Sequence, residues 1–131
     1  MRYDESVAVV LAWQDAANHQ DVDRLLELSD PNIEIVGPRG SGRGHKLLRD
    51  WIGRAGLSLE TLRVFADGDS VVVAQRGAWR SANTGEVIGE SRVASGFRVD
   101  DQRVTWLARY DSLDAALDET NLRYTNEMPE V

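Results

Sequence analysis

Residues 57–110 read LSLETLRVFADGDSVVVAQRGAWRSANTGEVIGESRVASGFRVDDQRVTWLARY, and this stretch decides the fold. Runs rich in valine and other strand-forming residues alternate in it with turn signals, which predicts four antiparallel strands. The strands are expected over 57–66, 70–81, 86–99 and 102–110. Asp67-Gly68 is a two-residue hairpin signal, and Asn83-Thr84-Gly85 and Asp100-Asp101 mark the other two turns. The second half of the chain is therefore predicted to be a β-meander.

Apolar residues at helical spacing predict three helices before the meander and a short one after it. The helices are expected over 3–17, from the cap Asp21 towards Pro31, over about 45–55 and over 112–119. A short strand over 32–36 precedes the glycine-rich residues 37–44, for which no regular structure is expected. Helices followed by an antiparallel meander predict an α+β domain, with the helices packed on one face of a curved sheet.

Length and composition restrict the classes of protein. The chain has 131 residues, of which 42% are hydrophobic, so a single domain over 1–131 is expected, with its core in 4–120 and a loose tail over 121–131. No residue is cysteine, which excludes disulfides and cysteine-ligated zinc, and only His19 and His45 remain as nitrogen ligands. No metal and no cofactor is therefore expected.

Charge and hydropathy restrict the partners. The net charge of −7 argues against nucleic acid, because phosphate binding draws mainly on lysine and arginine. The apolar runs are far shorter than the roughly 20 residues that a membrane-spanning helix needs. The N-terminal residues also lack the pattern of a secretory signal. We therefore expect a cytoplasmic protein that binds neither nucleic acid nor membrane.

Three short motifs stand at informative places in this order of elements. Gly42-Arg43-Gly44 opens the third helix, residues 96–101 lead into Val104, and Tyr110-Asp111 ends the last strand. In the order and spacing of these motifs, the chain resembles the nuclear transport factor 2-like superfamily, and within it the SnoaL-like polyketide cyclases. The resemblance implies a cone, in which a curved antiparallel sheet wraps around three N-terminal helices, with a pocket inside. It also implies a homodimer formed through the sheet.

The resemblance further implies catalytic aspartates at two places where this chain lacks them. The family's Trp-Arg-Asp pattern, laid on residues 106–108, puts Ala108 in the place of the acid. The Arg-x-Asp of the epoxide hydrolases falls on residues 76–78, which keep the arginine and lack the acid. A general base would have to come from another carboxylate. The candidates are Asp15, Glu34, which is expected to face solvent, Glu90, and Asp111, which is expected to cap a helix.

Aromatic residues and one arginine predict a ligand pocket in place of that acid site. Strand alternation puts Trp106 and Tyr110 on one face of the last strand, which is taken as the interior. Family analogy places Arg76 inside, where its guanidinium would suit a ligand carboxylate, enolate or carbonyl. The predicted pocket residues are Trp13, Trp51, Arg76, Trp106 and Tyr110. The alternatives are ordinary core packing for each tryptophan and an ion pair with Glu90 for the arginine.

Three functions stay open at this point. The first is a pocket protein that binds a small hydrophobic or aromatic metabolite without the family's usual catalytic aspartate. The second is an enzyme of the polyketide cyclase, isomerase or dehydratase type, in which Arg76 stabilises an oxyanion and Tyr110 or a displaced carboxylate moves a proton. The third is a dimeric structural or interaction module that holds no ligand.

Overall fold

The computed structural model describes residues 2–37, 40–54, 57–80, 84 and 86–128, with their side chains except at 2–4, 51–54, 57, 79, 80 and 88. The helices are α1 (Arg2–Asn18), α2 (Val22–Glu27), α3 (His45–Arg54) and α4 (Leu113–Thr120), followed by a 3₁₀ helix (Tyr124–Asn126). The strands are β1 (Ser29–Gly37), β2 (Gly40–Arg43), β3 (Leu57–Asp67), β4 (Ser70–Arg80), β5 (Val87–Asp100) and β6 (Arg103–Tyr110).

All six strands belong to one curved, unclosed sheet in the order β2-β1-β6-β5-β4-β3. β1 runs parallel to β6, and the other neighbouring strands are antiparallel. The N-terminal helices cover one face, which we call the inner face, where Trp13, Leu25 and Leu48 join one apolar cluster with Val73 and Phe97. The predicted α+β architecture, with a curved sheet around three N-terminal helices, is therefore confirmed.

The opposite face of the sheet, which we call the outer face, is covered in part by α4. Ala116 and Leu117 of this helix form a second apolar cluster with Phe65, Val72 and Ala94. The middle of the sheet is thus buried on both sides, which explains why successive valines of β4 are all shielded from solvent. Apolar character alone cannot tell the two faces of such a strand apart.

A β-bulge in β6 reverses the predicted faces of the last strand. Val104 lies opposite Val99, whereas Trp106 lies opposite Arg98, so no residue of β5 lies directly opposite Thr105. After this extra residue, Leu107 points to the inner cluster and Trp106 to the outer face. Strict alternation from residue 104 onward predicts that residues 106, 108 and 110 lie inside, and that prediction is wrong.

Helix caps and hairpin turns lie close to their predicted positions. Asp21 caps α2, because its side chain accepts a hydrogen bond from the Arg24 amide at 3.2 Å, as predicted. The cap of α4 is Ser112 rather than Asp111, since the Ser112 hydroxyl accepts from the Ala115 amide at 3.1 Å. The two described hairpin turns fall one residue later than expected, at residues 68–69 and 101–102.

The glycine-rich segment contains a strand, contrary to prediction. Gly40–Arg43 pairs antiparallel with β1, and Gly42 lies opposite Ile35. A Cβ atom on Gly42 would clash with the end of the Leu47 side chain, so glycine lets this strand pack closely against α3 without moving that leucine. Residues 38 and 39 of this segment lie outside the described part of the chain.

The tail predicted to be loose from residue 121 packs against the sheet as far as residue 128. Glu127 forms a β-bridge with Phe65, and the Met128 amide donates to the Val64 carbonyl at 2.8 Å. Residues 129–131 lie outside the described residues. The segment was missed because its anchors are single side chains and backbone groups without any periodic pattern. No helix within the described ranges is both long and apolar enough to cross a membrane.

Candidate functional site

Arg76 lies on the outer face, and its predicted inward direction is wrong. Its Nη2 is 3.0 Å from Oε1 of Glu60 on the neighbouring strand, and both side chains are more than half exposed. Arg92, the residue opposite Arg76 in β5, is also exposed. The alternative prediction, that Arg76 forms an ion pair, is confirmed, but its partner is Glu60 and not Glu90.

Trp13 is a core residue that also makes a hydrogen bond. Its side chain is 2% exposed and meets the Phe97 ring edge-on, with 5.6 Å between the ring centres. The indole Nε1 donates to the Ser29 hydroxyl at 2.9 Å, and this hydroxyl donates to the Leu25 carbonyl at 2.7 Å. The polar group of the indole is therefore satisfied within the core, as ordinary packing requires.

Trp106 and Tyr110 lie on the outer face, away from Trp13. The Arg98 guanidinium stands over the Trp106 ring at 5.3 Å, and Tyr110 packs against the cluster that α4 completes. Burial, and then the negative charge of Glu119, raise the pKa of Tyr110, so its phenol holds its proton more firmly than usual. One cavity cannot include both Trp13 and Trp106, because the sheet separates them.

The side chain of Trp51 lies outside the described part of the chain, so its predicted place in a pocket stays a prediction. Binding of a ligand by any of the five predicted pocket residues is likewise a prediction. The described members divide into two groups, with Trp13 on the inner face and Arg76, Trp106 and Tyr110 on the outer face.

Sequence reasoning missed a chain of buried polar side chains on the inner face. The Ser95 hydroxyl donates to Oε1 of Gln75 at 2.7 Å, the Gln75 amide nitrogen donates to Oε1 of Gln14, and the Gln14 amide nitrogen donates to the Thr61 hydroxyl at 3.1 Å. Gln14, Gln75 and Ser95 are each no more than 4% exposed. We call these four residues the amide relay. They join α1 to β3, β4 and β5 inside an otherwise apolar core.

Arg109 adds a cation next to the amide relay. It lies opposite Ser95 in β6 and shares its face, since directly opposed residues of antiparallel strands point the same way. Burial lowers the pKa of Arg109 below its usual value. Its Nε is buried without a hydrogen bond among the described residues, while the residue takes part in other interactions. The arginine on the inner face is thus Arg109, not Arg76.

One signal in the sequence could have indicated the relay. Gln75 directly follows four apolar residues of β4, and a polar residue that continues a buried run is expected to have a buried partner. Gln14 stands beside Trp13 in an apolar helix in the same way. The pairing of the two amides depends on the packing of α1 against β3 and β4, and sequence spacing does not contain that information.

The four carboxylates predicted as candidates for a general base lie outside the buried amide relay. Oδ1 of Asp15 is 3.4 Å from Nδ1 of the exposed His19, and Oε1 of Glu34 is 3.6 Å from Nη2 of Arg43. Glu90 and Asp111 are exposed. On the inner face, the described polar residues of β3 to β6 are amides, hydroxyls and a guanidinium. This set can bind and orient oxygen atoms of a ligand, but it offers no group that readily accepts a proton at neutral pH.

Three open grooves lie along the solvent side of α1, away from the amide relay. The largest, of about 710 Å³, is formed by α1, α2 and the turn between β5 and β6. The other two, of about 340 and 350 Å³, adjoin it at Val9 and Ala12. The predicted aromatic hollow is not among them.

Comparison with known proteins agrees with this fold. The family model of the SnoaL-like domain matches residues 10–107, so the chain belongs to the family of SnoaL-like domains. The resemblance predicted from the sequence is thereby confirmed. Among curated proteins, none matches the chain.

Solved structures with a similar fold cover almost the whole chain. An LEH-like epoxide hydrolase from M. tuberculosis has a TM-score of 0.74 and 22% identity, over 92% of this chain and 92% of that chain. An NTF2-like protein from Burkholderia xenovorans has a TM-score of 0.71 and 23% identity, over 92% and 98%. TerC, co-crystallised with polyporic acid, has a TM-score of 0.72 and 19% identity, over 88% and 97%. Likeness at these identities shows the fold alone.

Proposed function

We propose that this chain is a small-molecule binding protein whose ligand is a hydrophobic or aromatic metabolite with an acidic or carbonyl oxygen. The ligand would lie at the inner face of the sheet, with its oxygen directed towards Arg109 and the amide relay. The observation that carries this proposal is a half-buried guanidinium beside a buried relay of amides and hydroxyls.

The chemistry of these groups supports this class of ligand. Guanidinium nitrogens, amide nitrogens and hydroxyls all donate hydrogen bonds, and a donor-rich site in an apolar surrounding favours a carboxylate, enolate or carbonyl oxygen. The surrounding inner face is a packed cluster of valine, leucine and aromatic side chains, so a ring-containing ligand would take the place of part of that apolar packing. TerC, which shares the fold, was co-crystallised with polyporic acid.

The same geometry gives no support to the catalytic alternative in its predicted form. Arg76 and Tyr110 lie on the outer face, and the raised pKa of Tyr110 makes its phenol a poor proton acceptor. A homodimer formed through the sheet remains part of the proposal. The area of the outer face that α4 leaves open carries Glu60, Arg76, Glu90 and Arg92, and oppositely charged residues of this kind could pair across a two-fold axis.

The proposal is tested by thermal unfolding with matched probes. Aromatic carboxylic acids of one, two and three rings would be compared with their carboxamides, which keep the shape and lose the charge. A probe at 100 times its Kd should stabilise the protein by about 2.7 kcal/mol. We expect acids to raise Tm more than their amides do.

Two arginine variants show on which face of the sheet the acid probes bind. Arg109→Gln should abolish the difference between each acid and its amide, whereas Arg76→Gln should keep it, since Arg76 lies on the other face. Each variant is compared with its own ligand-free Tm, which removes any change in intrinsic stability. An unchanged Tm with every probe would overturn the proposal and favour the structural module.

A further inference from the structure

β3 is the last strand of the sheet, and its outward edge is blocked at two residues. In an antiparallel pair, alternate residues direct both backbone groups away from the neighbouring strand. The backbone groups of Leu59 meet a side chain of α1, and the Val64 carbonyl meets the C-terminal segment. An exposed edge strand is a template for pairing with another chain, so covering these groups has a physical purpose.

The first block is the side chain of Asn18, at the end of α1. Its amide nitrogen donates to the Leu59 carbonyl at 2.9 Å, and its amide oxygen accepts from the Leu59 amide at 2.9 Å. This pair of bonds copies the pattern that a neighbouring strand would make with Leu59. Asn18 therefore occupies the place of a strand partner.

The second block is the C-terminal segment 123–128. The Met128 amide donates to the Val64 carbonyl at 2.8 Å. The Arg63 guanidinium binds both Glu127 carboxylate oxygens, at 2.7 and 2.9 Å, and stands over the Tyr124 ring at 5.6 Å. The Tyr124 hydroxyl donates to Asp114 of α4. The segment is thus fastened at both of its ends.

We propose that the edge of β3 is a surface for association with a second copy of this chain, and that Asn18 and the C-terminal segment keep it closed. The register of two antiparallel β3 strands decides this choice of partner. If Leu59 faces Val64 of the second copy, the two blocked positions pair with each other. The same register sets Glu60 opposite Arg63 of the second copy, so that opposite charges meet twice across the two-fold axis.

The faces of the strand agree with that register. Leu59 and Val64 both lie on the inner face, opposite Gly77 and Val73 of β4. Glu60 and Arg63 both lie on the outer face, opposite Arg76 and Ala74. The irregularity between Thr61 and Arg63 falls on the two-fold axis, so the contact would consist of two short paired blocks. The C-terminal segment thereby controls whether the sheet ends at β3 or continues into a second copy.

The test uses a chain that ends at Leu122, which keeps α4 and removes the second block, and combines it with Asn18→Ala, which removes the first. Molar mass is measured by sedimentation, and retention of the fold by near-ultraviolet circular dichroism. We expect the full chain to keep its mass and the shortened Asn18→Ala chain to show twice that mass. A folded shortened chain with the mass of the full chain would overturn the proposal.

Charge exchange in the shortened chain tests the register. Arg63→Glu should restore the mass of the full chain, because glutamates then oppose each other across the axis. Adding Glu60→Arg should bring back the doubled mass. Non-specific aggregation would not respond to these charge changes in this way. If the mass stays doubled with Arg63→Glu alone and with both substitutions, the proposed register is wrong.

Two substitutions in the full chain decide the matter if the shortened chain does not fold. Glu127→Arg sets two cations against each other and should release the C-terminal segment from Arg63, and Asn18→Ala removes the block at Leu59. The proposal predicts a doubled mass for the Asn18→Ala/Glu127→Arg variant, and a return to the original mass when Arg63→Glu is added. An unchanged mass in the folded double variant would overturn it.

Discussion

Arg76 and Arg109 lie on opposite faces of one sheet and differ in their exposure to solvent and in their partners. Arg76 is more than half exposed and pairs with Glu60, so solvent and a counterion share its charge. Arg109 lies beside the buried amide relay, where burial lowers the pKa of its guanidinium. An exposed ion pair of this kind contributes little to stability, whereas a buried polar group affects stability strongly. The face of the sheet, and not the residue type, therefore decides which of the two arginines is buried beside polar partners.

The two tryptophans on the two faces provide the largest test of this difference. Trp13→Ala should lower the free energy of unfolding by about 3–5 kcal/mol, because a fully enclosed indole leaves a cavity. Trp106→Ala should lower it less, since the Trp106 side chain is only half-buried. Urea unfolding measures both variants. An equal or larger loss for Trp106→Ala would contradict the placement of the two residues.

Neighbouring residues of β4 provide the next test. Gln75→Leu should lower the free energy of unfolding by about 1–3 kcal/mol, because Ser95 and Gln14 lose their buried partner. Arg76→Leu, one residue along the strand, should change it by less than about 1 kcal/mol. Urea unfolding of both variants decides between them. Similar losses at residues 75 and 76 would show that the relay has no energetic weight.

The smallest expected effect concerns a second outer-face ion pair and depends on pH. The Arg63 guanidinium lowers the pKa of Glu127 in the folded state below its ordinary value of 4.5. When the folded-state pKa of a carboxyl group is lowered, the group stabilises the protein at pH values above its unfolded-state pKa. This contribution disappears as the pH falls through the folded-state pKa. Glu127→Gln should therefore destabilise the protein at neutral pH and cease to do so in acid.

The free energy of unfolding of the parent protein and of Glu127→Gln is measured from neutral to acid pH. Glu86→Gln, which removes an exposed carboxylate just before β5, is the matched control. A gap between the parent and Glu127→Gln that stays constant down to the lowest pH would contradict the assigned ion pair.

Much of the fold could be predicted from local pattern. Helical spacing located α1 to α4, turn residues separated the strands of the meander, and Asp21 was correctly predicted to cap α2. The pattern failed where a feature depends on one backbone irregularity or one distant partner. Thr105 looks like any other strand residue, yet its bulge reverses the faces of Trp106 and Arg109.

The candidate site could be predicted much less well. The face of β4 was ambiguous because α1 and α4 bury both sides of its middle, so Val71 and Val72 are equally shielded. Gln14 and Gln75 are 61 residues apart and acquire a role only through their mutual hydrogen bond. An amide without its partner looks like a surface residue in sequence.

The sequence by itself determined the order of the helices and of the strands other than β2, and it indicated the SnoaL-like family. These properties depend on short-range preferences and on residue identity, which each stretch of chain carries alone. The tertiary structure decided which arginine faces the core, which amides pair and which edge of the sheet is closed. Those outcomes need two distant segments in contact, because burial and hydrogen bonding acquire their energy only when both partners are in place.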